Sequence, residues 1–572
     1  QVLYYGIRVG DTNMAIPELS EATIRAHAAP ESFQRGWSYY KNGAVRDLAL
    51  RGNVLHASVE GSQHPSYRVN VTFDKGGVTA ATCTCPYDWG GWCKHIVAAL
   101  LRAIHHSGEV VARPPLDEQL KVLDRGQLQA LILALAARSP DLSDSIERQL
   151  ALLHIVSAPP TAQKAAARRS PIDTSAISKQ VQYVLRNSPD SRYEYDYYDD
   201  EDPARDTVDA LRPILDQARG FINGGDALSA LAILEAFTTS YLAHGSTFFE
   251  EIEEMYGSFE GTPGDFFEEL AEIWAEAILS ADLNADERDE WGEKIAGWND
   301  EIDDLGGESL FGVALAAAEQ GWEYPPLQRV LAGEITPQGA WQGEPPEYAD
   351  TLALLRLRVL ERQGRFQEYL YLAEAEGQLD RYVLMLAKMG QSDQALAEGT
   401  RYLANPDDIL AVATVLRERG ALEQALRLAE HGLALPVPHS NSPYAISAEV
   451  QRAPLATWAA ELAAGMGERE RALRAADTAL RIAPSLAAYR MVQEQAGDEW
   501  EALRGAALAR LRNSPAVAAK VDIFLHENMI DDAIAAVRDS SDYSVLERVM
   551  TAAVPQRPDW VIEAASRQAQ RI

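Results

Sequence analysis

Cys83-Thr84-Cys85-Pro86-Tyr87-Asp88-Trp89-Gly90-Gly91-Trp92-Cys93-Lys94-His95 contains all three cysteines of a 572-residue chain and sets a histidine two positions after the last of them. The array reads C-x-C-x7-C-x-H. Thiols gathered this closely are a poor match for scattered core cysteines and a good match for a metal donor set. Structural zinc takes four ligands in a tetrahedron, and Cys3His is one of its regular sets. The odd cysteine count and the lack of a secretory-type leader argue against a disulfide framework. One structural Zn2+ held by Cys83, Cys85, Cys93 and His95 is therefore expected. Four protein ligands leave no position for water or substrate.

The spacing has a geometric reading. Residues i and i+2 of a strand share a face, so Cys83 and Cys85 can aim both sulfurs at one ion. Pro86 is expected to end that strand, and Asp88 with Gly90-Gly91 supplies the turn. Ile96 to Leu101 is an apolar run that reads as a helix. Residues two apart on a helix do not share a face, so Cys93 belongs in the loop and His95 in the first turn.

The motif resembles the SWIM zinc finger. Ser32-Phe33-Gln34-Arg35-Gly36-Trp37-Ser38-Tyr39-Tyr40, Gly43-Ala44-Val45, Cys85-Pro86-Tyr87 and Cys93-Lys94-His95-Ile96-Val97-Ala98 look like the bacterial members of that family. The likeness covers residues 31 to 101 and is loose beyond them. It implies a small zinc-held strand-strand-helix module thought to bind nucleic acid or protein. Such modules are found with Swi/Snf-class helicase ATPases and Mutator-type transposases. It implies no catalytic activity.

Around the motif, Ser20 reads as a helix cap. Phe33, Trp37 and Tyr40 recur at helical spacing until Asn42-Gly43. Three strand segments follow: Val45 to Val59 with a hairpin signal at Gly52-Asn53, the alternating run Tyr67 to Asp74, and Val78 to Cys85. Trp37, Trp89 and Trp92 have two readings, as platforms for unpaired bases or as a roof over the metal. Arg35, Arg46, Arg51 and Lys94 are the candidate phosphate or partner contacts, against a reading as solvated charges. Residues 31 to 112 hold eight Lys/Arg against six Asp/Glu in a chain of formal charge -33. The module is thus the part that is not strongly acidic, yet it carries no basic patch of the usual nucleic-acid kind. His105-His106 offers either a second metal site or a frayed helix end.

Arg113-Pro114-Pro115 marks a first boundary. Asp117 to Leu153 reads as helical hairpins, and Ala158 to Pro171 as a Pro/Ala-rich linker. Arg192 to Asp202, with four tyrosines among six carboxylates, reads as a solvated acidic loop, a calcium site or a dock for a basic partner. From about residue 221 a frame recurs: a glycine, an alanine five residues on, then a leucine. It occurs at Gly225, Gly390, Gly420, Gly467 and Gly497, with variants at Gly364 and Asn528. Pro436 to Pro443 fits an insert in that rhythm. The frame resembles tetratricopeptide-type hairpins, in which Gly turns one helix into the next. Acids surround Phe248, Phe249, Phe266, Phe267, Trp274, Trp291 and Trp298, which suggests solvent-facing amphipathic helices.

The expected fold is an α+β zinc module with a three-stranded sheet at 14-112, hairpins and linker with the acidic loop at 113-220, and a mainly all-α helical-repeat solenoid at 221-572. Met14 reads as an initiator and residues 1-13 as an extension. There is no phosphate-loop, zincin, nucleophile-elbow or deaminase pattern, and no apolar run of the roughly 18 residues a membrane span needs. The reading that follows is a non-enzymatic, cytoplasmic scaffold that binds a protein or nucleic-acid partner, with a Swi/Snf-class ATPase as one candidate. The alternatives are a DNA-binding protein acting through the zinc module and a hydrolase on the helical region.

Overall fold

Tyr67, Val69, Val71 and Phe73 alternate with polar neighbours, and a strand turns such a sequence into one buried and one solvated face. In the computed structural model of the chain they form β3 (Tyr67–Asp74), with every second residue buried. The structure describes residues 19–61, 66–87, 91–114, 116–136, 172–186, 203–245, 262–304, 310–436, 449–538, 540 and 542–569. The extension at 1-13 with Met14, Trp89, the linker at 158–171, the acidic tyrosine loop at 192–202, Phe248, Phe249 and nearly all of the 436–443 insert lie outside the described residues.

Two compact units make up the chain, Gln1–Ser157 together with Leu386–Ile572, and Ala158–Met385. In the first, helices α1 (Glu21–Ala26) and α2 (Pro30–Lys41) precede β1 (Val45–Arg51), β2 (Val54–Val59), β3 and β4 (Gly77–Cys83). Ser20 caps α1 by accepting the Thr23 amide at 3.1 Å. Helix α3 (Lys94–His105) follows, then β5 (Val111–Arg113). The sheet order is β4-β3-β2-β1-β5. The α+β class stands, with five strands in place of three. Val45 to Val59 breaks at its hairpin turn into β1 and β2, and β5 pairs parallel to β1 through Ala49 and Val111. Three exposed residues before a proline carry no periodic signal, which is why Arg113 read as a break.

The middle of α3, Ile96 to Leu101, is apolar on all sides, and Val97 through Leu101 are fully buried between α2 and the sheet. The helices α2 and α3 touch at Gly36, where a Cβ would lie 2.5 Å from Val97 Cγ1. A glycine inside a helix costs roughly 0.5–1 kcal/mol; here it permits the contact on which the core closes.

The C-terminal helices of this unit pair as hairpins, such as Pro406–Glu418 with Leu422–Ala434 and Ala453–Gly465 with Arg469–Ile482. Backbone hydrogen bonds at the frame positions explain the glycines. The Gly420 amide donates to Arg417 O at 2.9 Å and the Ala421 amide to Leu416 O at 2.9 Å. This is the paired Schellman turn, which needs a left-handed residue. Gly420 has φ +80°, and Asn528, the variant, has φ +56°. The same two bonds recur at Gly225, Gly364, Gly390 and Gly467. The alanines at 395, 425, 472 and 533 are fully buried. Gly497 departs from the frame: it opens a short 3-10 turn, and Ala502 and Leu503 are exposed. Gly377 makes the same turn and was missed because Tyr382 stands where alanine was sought.

The second unit is helical by itself. Its helix Thr262–Ser280 is amphipathic as expected: Phe266, Phe267 and Trp274 lie in the core, Trp274 Nε1 donates to Thr238 Oγ1 at 3.0 Å, and Asp265, Glu268, Glu269, Glu272 and Glu276 keep to the outer side. The neighbouring acidic helix Ala285–Asp304 packs its Trp291 and Trp298 onto Trp274 with ring centroids 5.3 Å away. Among the described residues no helix is long and apolar enough to cross a membrane.

At Gly420 a Cβ would meet nothing within 4 Å, so Gly420→Ala isolates the backbone term and should destabilise the chain by about 1 kcal/mol. Asn528→Gly should be neutral or stabilising. Denaturant unfolding that ranks the two variants in the opposite order would remove the turn as the reason for the frame.

Candidate metal centre

Strand β4 ends at Cys83, two residues before the expected stop; one further hydrogen bond, Thr84 N–H to Arg68 O at 3.0 Å, follows as the chain bends over Thr84–Pro86. Cys85 comes to the side of Cys83. Cys93 occupies the cap position of α3 with extended backbone, and His95 lies in the first turn, as the spacing required. The ligand atoms of Cys83, Cys85, Cys93 and His95 all lie within 4.8 Å of one another. His95 Nδ1 is 3.7 Å from Cys83 Sγ and 4.0 Å from Cys93 Sγ. Zinc bonds of about 2.3 Å to sulfur and 2.0–2.1 Å to nitrogen imply S···N edges of about 3.6 Å, so the spacing fits a tetrahedron with little adjustment.

The electrostatics point the same way. A hydrogen bond from Cys83 pulls the Cys93 thiol down, opposed by burial and aided by His95. That same shared bond, together with burial, pushes Cys83 up, and burial pushes Cys85 up. Sulfurs this close oppose one another's ionisation. A divalent cation lets all three sulfurs ionise. The cluster is consistent with one structural zinc. His95 is 2% exposed, and its Nε2 has no hydrogen-bond partner among the described residues. Rings orient the imidazole instead: Tyr67 stacks on it at 4.5 Å and Tyr39 meets it edge-on at 5.5 Å.

The second knuckle is pinned by a residue the sequence did not single out. The Trp92 amide donates to His27 O at 2.6 Å, and the Trp92 ring stacks on the His27 imidazole at 4.5 Å. A Cβ on Gly91 (φ +70°) would lie 2.6 Å from the same carbonyl. His27 Nε2 then pairs with Glu461 Oε1 at 3.0 Å, on the helix Ala453–Gly465. A second bridge runs from the β3–β4 turn. Arg417, 8% exposed, holds both oxygens of Asp74 at 2.8 and 2.9 Å. Gly465 lets its helix lie directly on Gly76, whose carbonyl oxygen would be 2.2 Å from a Cβ there.

The remaining candidates do not form one surface of free groups. Arg46 pairs with Glu60 at 3.0 Å. Lys94 Nζ lies 4.8 Å over the Tyr39 ring. Trp92 is half-buried under His27, Arg51 is half-buried at the end of β1, and Arg35 is exposed on α2. Trp37 packs between Phe33, Tyr40 and His105. His105 Nε2 donates to Glu21 Oε1 at 2.8 Å, and His106 Nε2 hydrogen-bonds with Tyr40 Oη at 3.2 Å. Among the described residues the cysteine cluster is the metal-type grouping.

Two outcomes follow. Cys93→Ser, or chelation, should remove amide-exchange protection from β1–β5 and α3 while most far-UV helicity persists; collapse of helicity along the whole chain would overturn this. For His27, burial lowers the pKa but the hydrogen bond and charge of Glu461 outweigh it, so the folded value is raised. A raised histidine contributes fully below about 6.5 and loses its contribution as pH rises through the folded value. Stability should therefore decline from mildly acidic to alkaline pH, and His27→Gln should flatten that part of the profile.

Residues 67–104 match the family model of the SWIM zinc finger. The chain is 33% identical over 162 residues to the Drosophila melanogaster protein named zinc finger SWIM domain-containing protein 8 homolog, a match covering 28% of this chain and 8% of that one. It is 36% identical over 119 residues to the proteins named zinc finger SWIM domain-containing protein 8 of Bos taurus and Homo sapiens. Those matches cover 20% of this chain, and 8% and 6% of the relatives respectively. The chain thus spans under a tenth of the curated relatives it matches. Segment and site agree: the chain carries a SWIM zinc finger built on Cys83, Cys85, Cys93 and His95.

Proposed function

We propose that the protein is a non-enzymatic, zinc-stabilised interaction scaffold. The observation that carries this reading is the seating of the zinc module on the C-terminal helices through Asp74–Arg417 and His27–Glu461. A module held in place this way is an element of a larger surface. The donor set supports it as well, because four protein ligands leave zinc no open position for chemistry. A protein partner is favoured over DNA: Arg46 and Lys94 are engaged within the chain, Trp92 is covered on one face, and the net charge of -33 repels a polyanion. A Swi/Snf-class ATPase remains the candidate partner drawn from the family likeness. A reducing, cytoplasmic setting suits three metal-holding thiolates.

The test is a pair of measurements on the zinc-loaded full chain. Anisotropy with duplex and single-stranded 30-mers at low and moderate salt should show no steep salt-dependent binding. Affinity capture should recover a stoichiometric protein that Cys93→Ser and Arg417→Ala both release. Tight DNA binding with a slope of several in log salt would put the DNA-binding alternative in its place.

A further inference from the structure

Helix α1, the start of α2 and the helix Leu486–Ala496 enclose a groove of about 590 Å³, inside the range of ordinary ligand sites. Phe33, Trp37, Pro30 and Leu486 line it with apolar surface, and Arg25 and Arg490 supply its charges. Arg25 lies flat on the Phe33 ring, 3.6 Å from the centroid. A stacked guanidinium keeps its in-plane N–H donors available to a carboxylate. Its own acid, Glu21, stands off at 3.6 Å and is shared with His105. Arg490 contacts His526 at 3.3 Å and has no carboxylate at ion-pairing distance among the described residues.

We propose that this groove holds a short peptide segment of a partner protein, seating a Leu, Phe or Trp side chain against Phe33 and Trp37 and an adjacent Asp or Glu carboxylate between Arg25 and Arg490. It rests on the interaction reading above and names the chemistry of the partner. Charge supports it. Both arginines are depressed, Arg25 by burial and Arg490 by burial and then by Arg25, with Glu21 opposing the shift at each. An incoming carboxylate offsets the repulsion between the two guanidinium groups. The apolar lining favours a side chain over a nucleotide, because Gln34 and the Trp37 indole N–H are the uncharged hydrogen-bonding groups among its lining side chains, few to read a base edge.

The experiment selects a random 12-residue phage library on the immobilised full-length, zinc-loaded chain and measures the enriched peptides by fluorescence anisotropy. Enriched sequences should place Asp or Glu within three residues of Leu, Phe or Trp. Arg490→Gln should weaken them at least tenfold, with partial recovery in Arg490→Lys. Ala487→Trp, which fills the groove without changing charge, should abolish binding. Zinc content and far-UV circular dichroism establish that each variant is folded. No enrichment, enrichment without a carboxylate, or affinity indifferent to both positions overturns the proposal. Displacement of the peptide by oligo(dT)20 in an Arg490-dependent manner assigns the groove to nucleic acid and overturns it too. If the captured partner still binds Arg490→Gln and Ala487→Trp, the groove fails while the scaffold reading stands.

Discussion

Three thiols and an imidazole within 4.8 Å of one another form a donor set that a divalent cation lets ionise fully, and the module is built around it. Two donors come from the end of β4 and its extension, and two from the cap and first turn of α3. Joining them fixes where α3 starts relative to the sheet. Because His95 through Leu101 of α3 are all buried, its placement then determines the packing of α2 and of the sheet face beneath. Metal affinity of roughly 10–16 kcal/mol in small zinc modules is large against the few kcal/mol that a core of this size supplies. Zinc is therefore part of the fold rather than an addition to it.

The consequence extends beyond the module. The knuckle between Cys85 and Cys93 rests on His27, which reaches Glu461, and the β3–β4 turn delivers Asp74 to Arg417. Breaking one partner of a buried ion pair costs more than the pair contributes, since it strands a charge; Asp74, partly exposed, softens that penalty. The groove is bounded by α1 lying on the helix Leu486–Ala496, where Ser20 Oγ donates to Glu494 Oε2 at 2.8 Å.

The sequence made the ligands legible because four donor types at short spacing have few other uses. The partition of Cys93 to the loop and His95 to the helix followed from helical geometry alone. The Gly frame was legible because a left-handed turn leaves a residue signature, and Asn528 was found by the same logic. What could not be read depends on distance. Arg417 and Asp74 are 343 residues apart, and neither sits in an unusual local pattern. The strand Val111–Arg113 is too short for periodicity. The apolar face that Trp274 shares was legible from its spacing against the acids, but which helices cover that face was not. Gly497 matched the frame in letters but not in hydrogen bonds, since its amide reaches Gln493.

Charge is the last discriminator. With 85 acids against 52 bases, an arginine on these helices should find a carboxylate, and most do. Arg471 holds Glu423 and Glu430, Arg504 holds Glu527, and Arg510, Arg512, Arg548 and Arg557 each reach an aspartate on a neighbouring helix or turn. Singly such exposed pairs are worth about 0–1 kcal/mol; their meaning lies in how thoroughly the cations are matched. Arg356, Arg452 and Arg469 also lack a carboxylate at ion-pairing distance among the described residues but are held by Gln320 or by backbone carbonyls; Arg490 differs in lining an open groove beside another guanidinium. In a chain with acids to spare, a cation left without one in an apolar groove is best explained by an anion that comes from elsewhere.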